Sequence, residues 1–231
     1  MSFKEFVEKL ESEGRLKEAK RPLKREFEAA GLMKELDGEP FKARIEGSDF
    51  AAIANAFPTK ALVAEYFGCK PGDLTKKMLD AIENPTDYEV VESAPCQEVV
   101  MDEVDLNALP ILTHCDRDGG PYVASGIIFA SHPEHGLNAS FQRGMIKSKN
   151  EFVLRILPRD LNTYIEKNGG ELEVAYVIGN SPNVLLSAAT SVSIDEDEMR
   201  IANSLEPLKM VKTGNGVLVP ADAEIIIEGT I

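Results

Sequence analysis

Two polar residues bracket one short run, GLNASFQRG (136–144): an amide at Asn138 and a guanidinium at Arg143. A strand built only to fill a core would be richer in Val, Ile and Leu. Amide oxygens ligate hard cations, and a guanidinium fork can hold both oxygens of a carboxylate. The separation of the two is odd, so an unbroken strand places them on opposite faces. They reach one cavity only if Asn138 lies in the turn before the strand or a bulge intervenes. The plainer alternative is an Arg on the surface.

Other runs offer weaker chemistry. DEDEMR (195–200) is an acidic cluster. It reads first as a helix N-terminus, where carboxylates meet the positive end of the dipole. A metal ligand among these carboxylates is the sharper alternative. DRDGGPYVASG (116–126) has neither G-x-G-x-x-G spacing nor a Lys-Ser/Thr pair, so it is no nucleotide loop but a tight turn feeding a strand. His132 and His135 in SHPEHG form H-x-x-H, a loose metal pattern for which a solvated loop is the better reading. His114 and Cys115 are adjacent, and neighbours on a strand point apart, so a dyad is disfavoured. No G-x-S-x-G elbow supports a serine hydrolase.

Bulk properties narrow the classes. A chain of 231 residues holds one large domain or two smaller ones. Its formal charge of −14 repels phosphate backbones and anionic lipid, which argues against nucleic-acid and membrane-surface roles. No apolar run approaches the roughly 20 residues of a membrane span. The opening MSFKEFVEKLESEG is charged throughout and does not read as a signal peptide. Cys69, Cys96 and Cys115 are odd in number and far apart. They read as reduced, buried thiols of a cytoplasmic protein.

The elements that must position these groups form an α+β chain. Ser2 and Glu5 have capping-box spacing ahead of a helix that Gly14 stops. Helices are expected around 26–36, in TKALVAEYFGC and in DLTKKMLDAIENP, with FKARIEG as a strand between them. After VVESAPCQEVV the strands take over: PYVASGIIFAS, LNASFQRGMI and EFVLRILP, the last two joined as a hairpin through KSKNE. A helix PRDLNTYIEKNGG, a strand LEVAYVIG, helices near NVLLSAATS and IDEDEMRIANSLE, and strands VLVP and AEIIIEG follow. Pro95 marks the boundary between an N-terminal α+β region (1–97) and a closed or partly closed β-barrel with flanking helices (98–231).

LPILTHCDRDGGPYVASGIIFA, GLNASFQRG, DEDEMRIANSL and VPADAEIIIEG, in that order, resemble the UbiD-type carboxy-lyases, the prenylated-FMN-dependent decarboxylases. The opening amphipathic helix, FKARIEG and NAFPTKALVAEYFGCKPGDL fit the same family, so the resemblance spans essentially the whole chain. It implies an N-terminal α+β region, then a barrel like the split barrels of flavin reductases, then a C-terminal domain. It also implies roles. Asn138 and Glu198 match metal ligands that bridge to the cofactor phosphate. Arg143 matches the catalytic Arg that faces the substrate carboxylate. Phe141, Gln142 and Arg159 fall along the flavin, as do Asn138 and Arg143. The implied cation is Mn²⁺ or Mg²⁺, with K⁺ as a further candidate.

Two departures matter. Where the family has a His ligand in a run like P-R-H-L, this chain has Pro158-Arg159-Asp160-Leu161, making Asp160 an oxygen ligand or a residue that turns away. The E-G-P-F-G-E-like run that carries the family's two catalytic glutamates is expected after EIIIEGTI. The resemblance therefore implies the metal and Arg half of a decarboxylase site. Its C-terminal domain would be absent or would come from a second polypeptide. The expected partners are an unsaturated or aromatic carboxylic acid, with the archaeal anhydromevalonate phosphate branch favoured, a flavin prenyltransferase that supplies the cofactor, and copies of the chain itself. The alternatives are a non-catalytic flavin- or metal-binding subunit and an inactive truncated product.

Overall fold

The computed structural model describes all 231 residues. Helix α1 (Phe3–Ser12) begins where expected. Ser2 Oγ accepts from the Glu5 amide at 3.1 Å, and the Glu5 carboxylate accepts from the Ser2 amide at 2.7 Å. β1 (Lys17–Glu18), β2 (Phe41–Arg44) and β3 (Ala51–Ala54) form a three-stranded sheet in that order, flanked by α2 (Glu28–Glu35). α3 (Lys60–Tyr66) and α4 (Leu74–Glu83) pack on α1, burying Phe6, Leu10, Leu62 and Tyr66 together. β4 (Glu89–Val91) follows.

The second region contains β5 (Tyr122–Val123), β6 (Ile127–His132), β7 (Gly136–Phe141), β8 (Gly144–Ile146), β9 (Phe152–Leu154), α5 (Asp160–Lys167), β10 (Glu173–Ile178), α6 (Pro182–Ala188), α7 (Glu198–Leu205), β11 (Lys209–Lys212), β12 (Leu218–Pro220) and β13 (Ile225–Thr230). The central sheet has the order β13-β10-β6-β7 and is covered on both faces. Ile127, Phe129, Leu137, Ala139, Ala175 and Val177 face Val184 of α6 and Met199 and Ala202 of α7. Ile128, Ala130, Val174 and Tyr176 face Leu161 and Tyr164 of α5. Two-sided burial explains the continuous apolar runs IIFA and VAYV, which show no alternation. Each large side chain fully buried here contributes about 1.5–3 kcal/mol.

Several expectations need correction. No sheet closes on itself: β5-β8-β9 and β12-β11-β4 are separate three-stranded sheets beside the central one. LNASFQRGMI is not one strand, because it leaves the central sheet after Phe141 and enters β8 at Gly144. The thiols are free, but Cys69 and Cys96 are only half-buried and Cys115 is exposed. β1, β3, β4 and β11 are too short or too mixed in pattern to stand out in the sequence. β4, which precedes the expected division at 97, pairs parallel with β11 in the register Val91 to Val211. No helix is long and apolar enough to cross a membrane.

Candidate functional site

α7 starts at Glu198 because Asp197 caps it: Asp197 Oδ1 accepts from the Met199 amide at 2.8 Å. Tyr88 Oη donates to the other oxygen of Asp197 at 2.9 Å and fixes the cap from the side of β4. Glu198 therefore projects from the first helical turn, and only 4% of it is exposed. Its carboxylate accepts from Asn138 Nδ2 and from the Ala139 amide, both at 3.0 Å. β7 is a sheet edge, which leaves that amide free to meet a side chain. Burial pushes the Glu198 carboxyl up to about 7, against the pull of the Ala139 amide, and the charges of Asp197 and Asp160 raise it further.

Asp160 is the first residue of α5, and its charge is the weakest of the influences that raise the Glu198 carboxyl. Tyr164 lies one turn further along, fully buried. Burial raises its phenol to about 12, helped by the charges of Glu198 and Asp160. Neither Glu198 nor Asp160 has a basic partner. A buried carboxylate without a counter-charge is costly. A hard divalent cation would supply that charge, and Asn138, Asp160 and Glu198 offer it oxygen. For the amide to share a cation with Glu198 it must turn so that Oδ1, not Nδ2, faces the carboxylate. The donor set therefore fits Mg²⁺ or Mn²⁺.

A relay leads from this pair toward Arg143. Ser140 Oγ donates to Asn138 Oδ1 at 3.4 Å, and Gln142 Nε2 donates to Ser140 Oγ at 3.2 Å. Residues 142 and 143 form the crossover between two sheets, and Tyr176 holds it. The Gly144 amide donates to Tyr176 Oη at 3.0 Å, and the Tyr176 hydroxyl donates to the Gln142 carbonyl. Gly126 accepts from the Gln142 amide at 3.3 Å through its carbonyl. A Cβ at Gly126 would stand 2.2 Å from the Tyr176 ring, so only glycine fits. The Arg143 guanidinium lies 4.4 Å from the centre of the Tyr122 ring. It is exposed and makes no ion pair, although the chain carries a charge of −14.

The structure brings Asn138 and Glu198 into direct contact, while Asp160 stands at the start of α5 and bonds to neither. Arg143 stands at the far end of the Ser140–Gln142 relay, not in contact with them. Asn138 lies inside β7, not in the turn before it, and the chain leaves the central sheet between Asn138 and Arg143. Phe141 is 39% exposed beside the crossover, and Arg159 stands exposed at the N-cap of α5 next to Asp160. Sequence reasoning missed Ser140, Tyr164, Tyr176 and the capping role of Asp197. A phenol inside the apolar run AYVI was the available signal for Tyr176, because a buried hydroxyl needs a partner.

A family model described as the 3-octaprenyl-4-hydroxybenzoate carboxy-lyase Rift-related domain matches residues 89–231. Another, described as the 3-octaprenyl-4-hydroxybenzoate carboxy-lyase N-terminal domain, matches residues 7–82. The chain is 36% identical over 212 residues to anhydromevalonate phosphate decarboxylase of Methanothermobacter thermautotrophicus, covering 89% of this chain and 50% of that protein. It is 27% identical over 258 residues to phenolic acid decarboxylase of Sedimentibacter hydroxybenzoicus, covering 99% of this chain and 54% of that one. An evolved dimeric form of the UbiD-class enzyme HmfF from Pelotomaculum thermopropionicum, in complex with prFMN, superposes with a TM-score of 0.94 at 33% identity. That match covers 99% of this chain and 56% of the other. The chain spans about half the length of the curated relatives it matches.

Proposed function

The chain belongs to the UbiD family of carboxy-lyases, and from that premise we propose that it forms the cation-binding and carboxylate-binding part of a decarboxylase that works with prenylated FMN. The observation that carries this reading is the buried Glu198 carboxylate, held against Asn138 beside a second acid and without a basic partner. Losing CO₂ from an unsaturated carbon leaves a carbanion that side chains stabilise poorly, and prenylated FMN supplies the electron sink. Asn138, Asp160 and Glu198 would hold a divalent cation that neutralises the cofactor phosphate. Phe141, Gln142 and Arg159 would line the cofactor's course.

Arg143 binds and orients the substrate carboxylate. Its lack of an acidic partner leaves the fork free, and the guanidinium lies over the Tyr122 ring. The carboxylate must depart as CO₂, so the Arg has to position the group without over-stabilising the ground state. The proton donor is to be sought outside the groups that converge here. The substrate class we favour is a phosphorylated unsaturated acid, after the 36% identical relative, with a phenolic acid second. A flavin prenyltransferase would supply the cofactor, and copies of the chain would associate with one another.

The test is co-expression of the complete enzyme with a flavin prenyltransferase, followed by CO₂ release assays on both substrate classes. Arg143→Ala is expected to abolish turnover while retaining the flavin absorbance. Full turnover in the variant would remove the assigned role.

A further inference from the structure

The H-x-x-H run is a solvated turn only at its tip, where Pro133 and Glu134 are exposed, while its two histidines are largely covered. His132 ends β6 and is only 9% exposed, and its Cα pairs with Gly136 across the hairpin. The His132 and His135 rings stack at 5.2 Å, and both lie on the buried Tyr164 ring, at 5.4 and 5.8 Å. His132, Glu134 and His135 each present one ligand atom, and these atoms lie within 4.8 Å of one another. We propose that these three residues form a capture site for a borderline divalent cation of the Zn²⁺, Co²⁺ or Ni²⁺ class, distinct from the oxygen-lined site at Glu198.

Three features build the site. First, His135 Nδ1 meets Asp195 Oδ1 at 2.6 Å, which places the ring proton on that side and leaves the Nε2 lone pair for a ligand. A carboxylate behind an imidazole is the usual support of a metal-bound His. Second, a cation already stands at the spot. Lys167 Nζ lies 2.5 Å from His135 Nε2 and 2.9 Å from Glu134 Oε2. Lys167 belongs to the last turn of α5 and is 41% exposed, so its ammonium can withdraw to water when a metal arrives. Third, the ligands sit on a short hairpin whose Gly136 has φ +83°, a conformation glycine adopts without strain.

His132 Nδ1 accepts from the Glu134 amide at 3.2 Å, so in that tautomer Nε2 carries the ring proton; ligation through Nε2 requires the proton to move to Nδ1, with loss of the bond from the Glu134 amide. Ligand atoms around a tetrahedral zinc stand about 3.4 Å apart, so the three side chains need only close slightly. Two imidazoles and one carboxylate suit borderline metals, whereas the all-oxygen set at Glu198 suits Mg²⁺ and Mn²⁺.

The test is titration of the flavin-free chain with Co²⁺, followed by visible absorption. The parent and Glu198→Gln are expected to give the same nitrogen-ligated Co²⁺ spectrum. His132→Ala and His135→Ala should weaken binding about ten-fold or more, and Asp195→Asn about ten-fold. Lys167→Met should tighten it, because the competing ammonium is gone. His135 and Lys167 are partly exposed, so their variants keep the test decisive even if His132→Ala unfolds. Equal Co²⁺ affinity in the parent and His135→Ala would overturn the proposal. So would a spectrum lost in Glu198→Gln but kept in His135→Ala.

Discussion

Glu198 and Asn138 face each other at hydrogen-bond distance in a buried site, and burial makes that contact sensitive to pH. In the folded chain the Glu198 carboxyl keeps its proton up to about pH 7. In the unfolded chain it ionises near the ordinary value of about 4.3. Between these two values the folded state binds more protons than the unfolded state, so stability falls as pH rises. By pH 8, without a divalent cation, the cost is on the order of 3 kcal/mol. Glu198→Gln is expected to raise the urea midpoint at pH 8 and to leave it nearly unchanged at pH 4. Burial also raises Asp197, Asp222 and Glu224, so the informative quantity is the difference between variant and parent. Identical pH profiles would show that the carboxylate is not desolvated as described. Glu198 and Asn138 were legible in the sequence as a resemblance. Their direct contact was not, because it joins an edge strand to a helix 60 residues further along the chain.

At the scale of elements, the crossover from β7 to β8 decides where Arg143 sits. Its sequence, SFQRGM, looks like uninterrupted strand. What breaks it is the Tyr176 hydroxyl, which takes the Gly144 amide and the Gln142 carbonyl out of any ladder. That partner lies 32 residues from Gly144, beyond any local pattern. Tyr176→Phe leaves a buried amide and carbonyl unpaired and should cost about 1–3 kcal/mol in chemical denaturation. In the assembled enzyme the same change should raise KM for the acid more than it lowers flavin content, since it frees Arg143 without touching Asn138 or Glu198. An unchanged KM would separate Tyr176 from the positioning of the Arg. The α7 cap gives a second case. Asp197→Ala removes the acceptor of the Met199 amide and should cost about 1 kcal/mol. The acidic run was legible as a helix start, and the helix does begin within it.

At the scale of the molecule, the two regions named from the sequence share structure. Ile201 and Leu205 of α7 pack with Phe6 and Leu10 of α1, and with Leu62 and Tyr66 of α3. β4 crosses over to pair with β11. Phe6→Ala should therefore cost about 3–5 kcal/mol and lower a single unfolding transition reported equally by probes in both regions. Two separate transitions, with only the first displaced, would contradict that shared core. The α+β class and most helices were legible because caps and apolar spacing are local signals. The open sheets and the β4–β11 pairing were not, because strands of three or four residues carry too little pattern to declare their partners. The central claim is that Asn138, Asp160 and Glu198 hold one hard cation. Anomalous diffraction from crystals grown with Mn²⁺ tests it most directly. The expected result is a peak about 2.1–2.3 Å from a Glu198 carboxylate oxygen, with Asn138 Oδ1 turned toward it. Manganese bound elsewhere, with Glu198 still hydrogen-bonded to Asn138 Nδ2, would contradict it.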